Sequence, residues 1–468
     1  MLNKPYHKRL DLDLILGIIV VGVVVAVLAA LLGWFFLIPL LGSTNTDPEG
    51  EIKAAYDAYF IRGEYDAALN KLQKLTERYP NDARTWRDYG ALLILDQPGN
   101  TAMEVLEKAK SLNSSDNLTY LYLTSAYLNL YQFDKADESS KAALRLNTDS
   151  WVGHAARSQY LLSTLHYDQA QKEIDLVTAR KESEAGNYYY DHLMVSSLIS
   201  LRKYAEALPI LDKLLAVQPA DYWAMLLKAS YLLDNDSVTD SKASKQAALD
   251  LLFQAQALRP QSPFVQIMLA FYYSENDDNP VKAEKYAQEA LQSYPENSYS
   301  YYLLGKAQVD RLKYSEAVKQ FQACLKINPY ALRCAHQWLW ALIYEARDLE
   351  EEGKRDEAKA LLAEAKTKAK EFASYILAEE DSASSKASYY YTLATIYYQQ
   401  EDYAAAINNF RMAANLQPDT ALYWEWVGWA CYEDGRTSDA WEAYQKAVAL
   451  DPNDSSIKEL GKNLKSYG

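Results

Sequence analysis

The pattern of hydrophobic and polar positions divides the chain into an apolar beginning and a long, periodic remainder. The run 14–41 contains 28 residues and no charged side chain. Because about 20 apolar residues span a bilayer as an α-helix, this run predicts one transmembrane helix, with Trp34 near a membrane interface. A short polar segment, 1–13, precedes the predicted helix, and a polar hinge at 42–48 follows it.

The length of this run and the residues on either side of it bear on whether it is a membrane anchor or a cleaved signal peptide, and on its orientation. A cleaved signal peptide is the alternative, but the hydrophobic cores of signal peptides have about 7 to 15 residues, and no convincing cleavage site occurs around 41–43. Basic residues precede the run, at Lys4, Lys8 and Arg9, whereas acidic residues follow it. The positive-inside rule therefore predicts a single-pass membrane protein with a cytoplasmic N-terminus and an extracytoplasmic main domain.

Small residues recur within the predicted transmembrane helix. Gly22, Ala26 and Ala30 are four residues apart and so share one face. Small residues at this spacing let a second helix approach closely, which predicts contact with another transmembrane protein. The alternative is that glycine and alanine are simply frequent in membrane helices.

The rest of the chain repeats with a period close to 34 residues. Its marker is an aromatic residue followed closely by alanine, as in YDAA at 65–68, FDKA at 133–136 and YSEA at 314–317. A period of 34 is typical of a helix-turn-helix unit that must stack on its neighbours to bury its apolar face. The alanines in register are Ala68, Ala102, Ala136, Ala170, Ala207, Ala248, Ala283, Ala317, Ala358, Ala406 and Ala440.

These units resemble the tetratricopeptide repeat (TPR) family. The last unit reads Trp424, Val427, Gly428, Cys431, Ala440, Tyr444, Ala447 and Pro452, and it departs from the family pattern only at Cys431. The unit before it reads Tyr390, Leu393, Ala394, Tyr397, Ala406, Phe410, Ala413 and Pro418. The resemblance implies an all-α fold, a right-handed superhelical solenoid of about eleven repeats over 49–454, preceded by the transmembrane helix. The segment 455–468 has Ile457, Leu460 and Leu464 on one side and is predicted to be the capping helix.

Composition and charge exclude several classes of protein. With only 16 glycines and 14 prolines in 468 residues, a turn-rich all-β fold is disfavoured. The chain has 48 basic and 63 acidic residues, and a net charge of −15 disfavours a nucleic-acid partner. Cys324, Cys334 and Cys431 cannot form a disulfide framework and lack the spacing of a zinc site, so we expect buried, small hydrophobic side chains.

Catalytic motifs are missing from the sequence. Its five histidines are scattered, with no HExxH motif, no nucleophile beside a plausible base and no glycine-rich phosphate loop. We therefore expect no enzyme activity, no cofactor and no metal. The enzymatic alternative places catalytic residues in the insertions at 234–244 and 379–388, which otherwise represent loop growth or a partner-contacting edge.

The resemblance implies that partners bind the concave groove, which helix A side chains line. Projected from the repeat register, these positions form an aromatic, weakly charged strip suited to an extended peptide or a helix. The alternative is that 39 tyrosines reflect composition and packing between repeats. The candidate residues are Tyr299, Tyr302, Lys306, Tyr391, Thr395, Tyr398, Glu425, Trp429 and Tyr432.

Together these features predict a membrane-anchored protein-protein interaction scaffold or assembly factor. A subunit of a membrane or envelope complex is one form that such a protein takes. A cytoplasm-facing receptor for targeted proteins is an alternative that needs the opposite topology. A glycan-binding envelope protein is another, since aromatic grooves also stack on sugars.

Overall fold

The computed structural model describes residues 47–96, 99–164, 166–179, 188–234, 242–378 and 383–466. The predicted transmembrane helix 14–41, with Gly22, Ala26 and Ala30, lies outside these residues, as does most of the insertion 234–244. None of the helices in the described ranges is both long enough and apolar enough to cross a bilayer. The chain divides into unit 1, up to Leu303, and unit 2, from Leu304 onward.

Every regular element in the described ranges is helical, as the sequence predicts. A π-helical turn, Asp57–Ile61, follows the first helix. The helices are α1 (Glu49–Tyr56), α2 (Tyr65–Arg78), α3 (Ala83–Asp96), α4 (Asn100–Leu112), α5 (Asn117–Asn129), α6 (Phe133–Leu146), α7 (Trp151–Ser163), α8 (Tyr167–Ala179), α9 (Tyr188–Ser200), α10 (Tyr204–Val217), α11 (Tyr222–Asp234), α12 (Lys242–Leu258), α13 (Pro263–Glu275), α14 (Pro280–Ser293), α15 (Ser298–Asp310), α16 (Tyr314–Ile327), α17 (Leu332–Glu351), α18 (Arg355–Ala378), α19 (Ala383–Gln399), α20 (Tyr403–Leu416), α21 (Ala421–Glu433), α22 (Thr437–Leu450) and α23 (Ser455–Ser466).

Along the chain these helices alternate between helix A and helix B of successive repeats. Odd-numbered helices correspond to helix A, and the even-numbered helices carry the alanines of the 34-residue register. Each of those alanines is buried, which lets helices A and B cross closely. At Gly305 in α15, a Cβ would lie 2.7 Å from the ring of Phe321 in α16, so only glycine permits this crossing.

Eight of the turns between helices A and B in the described ranges contain a left-handed residue. At this position φ is +75° for Gly435, but it is also positive for several residues with side chains, such as Leu312 at +59°. A left-handed residue ends helix A and reverses the chain within a few residues. The other residues at this position are Gly63, Tyr131, Arg202, Asp278, Gly353 and Glu401.

The C-terminal unit departs from regular repeats at two long helices. Helix α17 has 20 residues and α18 has 24, whereas the neighbouring α16 has 14. The capping helix α23 buries Ile457, Leu460 and Leu464.

The cysteines are buried as expected, and two of them are joined. Cys324 in α16 and Cys334 in α17 form a disulfide, with their Cα atoms 6.3 Å apart. Cys431 is a free thiol. The disulfide connects helix B of one repeat to helix A of the next and closes a short loop.

Candidate partner-binding surfaces

The helix A residues of unit 2 form a continuous aromatic cluster, and burial separates its members into two groups. Tyr391 in α19 is buried against Trp340, Phe410 and Tyr423, with ring centroids 5.5 to 5.7 Å apart. Thr395 is buried one turn later and donates a hydrogen bond to the Tyr391 carbonyl at 2.9 Å. In this structure Tyr391 therefore stabilises the packing between repeats, whereas the hydrogen bond of Thr395 stays within α19.

Tyr398 lies at the end of α19 and is only half-buried. Its ring packs edge-on against Trp426 at 5.3 Å and against Tyr403 at 5.5 Å. Burial raises the pKa of Tyr398, and the exposed carboxylate of Glu433 raises it further. This position combines an accessible ring with a nearby negative charge.

Glu425 in α21 connects the last repeat to the capping helix. It is buried, and its carboxylate accepts a hydrogen bond from Ser456. Burial raises the pKa of Glu425, and the neighbouring Asp454 adds to that effect.

Trp429 and Tyr432 remain half-buried on α21. Their rings are perpendicular, with centroids 6.0 Å apart. Together with Tyr398 they form what we call the aromatic face of unit 2. Partly accessible, mutually supported rings are the side chains that most often dominate protein interfaces.

The remaining three candidates lie on α15, which contains the boundary between the units. Tyr299 and Tyr302 are buried in unit 1, where their rings stack at 5.5 Å. Lys306 belongs to unit 2 and is half-buried. Binding of a partner by any of the nine candidates remains a prediction, but five of them have little side-chain surface to offer: Tyr299, Tyr302, Tyr391, Thr395 and Glu425.

Unit 1 contains a cluster that no sequence pattern predicts. Arg259, in the turn after α12, pairs with Asp96 at the end of α3 and donates a hydrogen bond to the Tyr59 hydroxyl at 3.3 Å. Its guanidinium lies over the ring of Tyr65 at 4.3 Å and over that of Tyr222 at 5.1 Å. We call this group the Arg259 pin.

Two further contacts connect other distant repeats of unit 1 in the same way. The Tyr294 hydroxyl donates to the Asn129 carbonyl at 3.0 Å, and the Tyr131 hydroxyl hydrogen-bonds the backbone of Ser298 and Tyr299. Each contact joins the turn between helices A and B of one repeat to the turn that follows helix B of a repeat four or five units later. Repeats four or five units apart are therefore in direct contact, which also explains why Tyr299 is buried.

The N-terminal repeats also hold buried charge. Arg87 in α3 pairs with Asp88 at 2.9 Å and with Asp116 at 3.2 Å, and the Tyr56 hydroxyl donates to Asp88 at 3.2 Å. Burial raises the pKa of Asp88 despite the neighbouring guanidinium. These charges are satisfied within the unit. Across the described ranges, no three histidine, cysteine or acidic side chains are placed to hold a metal ion.

Comparison with known proteins agrees with this architecture. Family models of the tetratricopeptide repeat match residues 53–82, 192–263, 298–330 and 391–455. No curated protein matches the chain.

Solved structures match the chain at low sequence identity and with TM-scores below 0.5. The APC/C hetero-tetramer Cut9–Hcn1 is 15% identical with a TM-score of 0.47, and the match covers 89% of this chain and 90% of that chain. A tetratricopeptide repeat protein from Parabacteroides merdae is 17% identical with a TM-score of 0.40, covering 59% and 98%. A thermophilic TPR protein from Thermus thermophilus is 16% identical with a TM-score of 0.37, covering 42% and 100%. At this level of similarity they carry no information about what this chain binds.

Stacked helix pairs with a 34-residue register define a helical repeat protein, the class in which each unit packs mainly on its neighbours along the chain. The family matches and the alanine register identify which type of helical repeat the chain carries. The chain carries tetratricopeptide repeats, as the sequence predicts.

Proposed function

We propose that this protein is a membrane-tethered scaffold that binds a partner protein through the aromatic face of unit 2. The observation that carries the proposal is the set of half-buried rings on α19 and α21: Tyr398, Trp429 and Tyr432. Neighbouring side chains hold these rings in place, so a partner would lose little of its binding energy to ordering them. Rigid aromatic groups suit an extended peptide or a helix of another protein.

The uncharged run 14–41 supports attachment to a membrane, and the basic residues before it support an extracytoplasmic location of the repeats. The disulfide between Cys324 and Cys334 supports the same location, because disulfides persist in oxidising compartments. Tethering then works by concentration, since an anchored binding surface meets membrane-bound partners at high effective concentration. No enzymatic step is part of this proposal.

The proposal predicts a partner that depends on the aromatic face. The full chain, extracted from its native membrane in mild detergent, is purified by an affinity tag, and proteins that co-purify in stoichiometric amount are identified by mass spectrometry. We expect such a partner with the wild type and its loss with the double variant Trp429→Ala/Tyr432→Ala. Tyr330→Ala is the matched control, since Tyr330 is 56% exposed and lies in a turn outside this face.

A partner retained by the double variant would contradict the role of the aromatic face, and recovery of a lone chain would contradict the role as a complex component. The topology is tested separately with a reporter fused after Gly468. A reporter active in the cytoplasm would contradict the extracytoplasmic location and favour a receptor for targeted proteins.

A further inference from the structure

A line of contacts joins repeats of unit 1 that are far apart along the chain. One side of it comprises Tyr59, Asp96 and Asn129, which lie where the A helices α1, α3 and α5 end or in the turn after them. The other side comprises Arg259 and Tyr294, which lie in the turns after the B helices α12 and α14. The Arg259 pin and the hydrogen bond from Tyr294 to the Asn129 carbonyl connect the two sides. We call these contacts the seam, and they fix repeats one to three against repeats six and seven.

Long side chains at one position of the repeat make the seam. Arg259 and Tyr294 are each the first residue after the last residue of a B helix. The same position after α4, α6 and α16 holds a shorter side chain, at Asn113, Asn147 and Asn328. The seam is therefore a property of particular side chains in unit 1 and does not follow from the repeat itself.

The seam is distinct from the packing that folds each repeat. The described helices pack mainly on their neighbours along the chain, and nearest-neighbour packing of this kind is what holds a helical repeat together. Distant repeats meet instead through an ion pair, hydrogen bonds and ring contacts such as that of Tyr65 with Tyr222, whose centroids are 6.4 Å apart. Breaking the seam returns the charges of Asp96 and Arg259 to water, and their hydration offsets much of the lost attraction.

We propose that the seam is a releasable clasp that gives unit 1 two folded states, closed and open. The closed state is the one described above. In the open state every repeat keeps its helices, and repeats one to three move away from repeats six and seven about repeats four and five. The open state is the minor one in the wild type, with a population of about 0.1–10%.

The clasp controls the length of unit 1. The chain enters this unit at α1, shortly after the predicted membrane-spanning run 14–41, and leaves it toward unit 2 after Leu303. Because the seam holds the two ends of this path together, opening increases the distance that an anchored chain can span. This consequence rests on the proposed function, whereas the two states of unit 1 do not depend on it.

The test measures a distance across the seam in the full chain in mild detergent. Spin labels are attached to Lys108→Cys in α4 and Gln288→Cys in α14, two exposed positions that belong to repeats two and seven. The natural cysteines do not take up label, because two form the disulfide and Cys431 is buried. Pulsed electron paramagnetic resonance gives the distribution of distances, and far-UV circular dichroism of the same sample gives the helix content. We expect one narrow distance in the wild type.

Reversing one charge should open the clasp. Arg259→Glu places a second carboxylate beside Asp96, and two like charges in contact repel each other. We expect the ratio of open to closed molecules to rise about tenfold or more, seen as longer and broader distances at unchanged helix content. Arg157→Glu is the matched control, because Arg157 also pairs with an aspartate and lies over a tyrosine ring at 4.8 Å, but its partner Asp137 is in the neighbouring repeat. This control should keep the narrow distance.

The wild type in increasing urea provides a second measurement, which decides the matter if Arg259→Glu loses helix content. The distance should lengthen at a lower urea concentration than the one that removes the helices, since the seam has far fewer contacts than the repeats. Coincident changes of distance and helix content would show that the seam is part of the cooperative fold, and the proposal would be wrong. A folded Arg259→Glu variant that keeps the narrow distance would overturn it as well. Neither measurement uses a membrane or a partner, so both are independent of whether the proposed function holds.

Discussion

The Arg259 pin leads to a quantitative prediction about the stability of unit 1. Arg259 is 8% exposed, and the side chain of its partner Asp96 is 11% exposed, so the ion pair is almost fully desolvated. Arg259→Met keeps most of the side-chain volume but removes the charge. Taking one partner from a buried ion pair costs about 3–5 kcal/mol, because the other charge remains in a medium of low dielectric constant.

The aromatic rings add to this cost. The guanidinium lies 4.3 to 5.7 Å from the ring centroids of Tyr65, Tyr222 and Tyr59, and each desolvated cation–π contact contributes about 1–2 kcal/mol. Because these terms share one side chain, they are not additive. We expect Arg259→Met to lower the free energy of unfolding by at least about 3–5 kcal/mol, the cost of the ion pair alone.

The assay is urea-induced unfolding of the full chain in mild detergent, followed by circular dichroism, for a double-mutant cycle of Arg259→Met and Asp96→Asn. The double variant should cost less than the sum of the single variants by at least about 1 kcal/mol, since it leaves no isolated charge. Arg411→Met is the control. Its pair with Asp439 spans 2.8 Å but is 41% and 40% exposed, so its loss should cost less than about 1 kcal/mol.

Two results would refute this reasoning. If Arg259→Met costs no more than Arg411→Met, the buried pair is not formed in solution. If the two single variants are strictly additive, Arg259 and Asp96 act independently.

Individual positions lead to four further predictions. Leu312 has φ at +59° and is 71% exposed, so Leu312→Gly should raise the free energy of unfolding by about 0.5–1 kcal/mol, measured by urea unfolding. Gly435 has φ at +75° and open space around it, so Gly435→Ala should lower that free energy by about 1–2 kcal/mol through backbone strain alone; an unchanged value would contradict the left-handed turn. The disulfide of Cys324 with Cys334 closes a loop at a sequence separation of 10, so reductant should destabilise the wild type by about 2.5–3 kcal/mol and leave Cys324→Ala/Cys334→Ala unaffected. Burial lowers the pKa of His336 to about 4 from the ordinary 6.5, and the unfolded chain therefore binds the proton first as the pH falls. Stability should be constant above about pH 7 and should decrease between pH 6.5 and 4 by up to about 3 kcal/mol, a decrease that His336→Gln should lack.

The candidate site illustrates where sequence reasoning was sufficient and where it was not. The repeat register correctly assigned the nine candidates to A helices, and it placed Trp429 and Tyr432 on accessible surface. It did not show that Tyr391 would be enclosed by rings from three other helices. The position of a residue within the repeat specifies the helix face on which it lies. The accessibility of that face depends on how closely neighbouring repeats pack.

The sequence by itself determined the class of fold, because a helical repeat buries its apolar face against neighbours that are close in the chain. Alanines such as Ala317 and Ala440 therefore reveal the unit and its boundaries directly. Tertiary structure alone decided the contacts between distant repeats. Arg259 meets Asp96 across 163 residues, and this separation follows from the accumulated rotation between repeats, which no local pattern encodes.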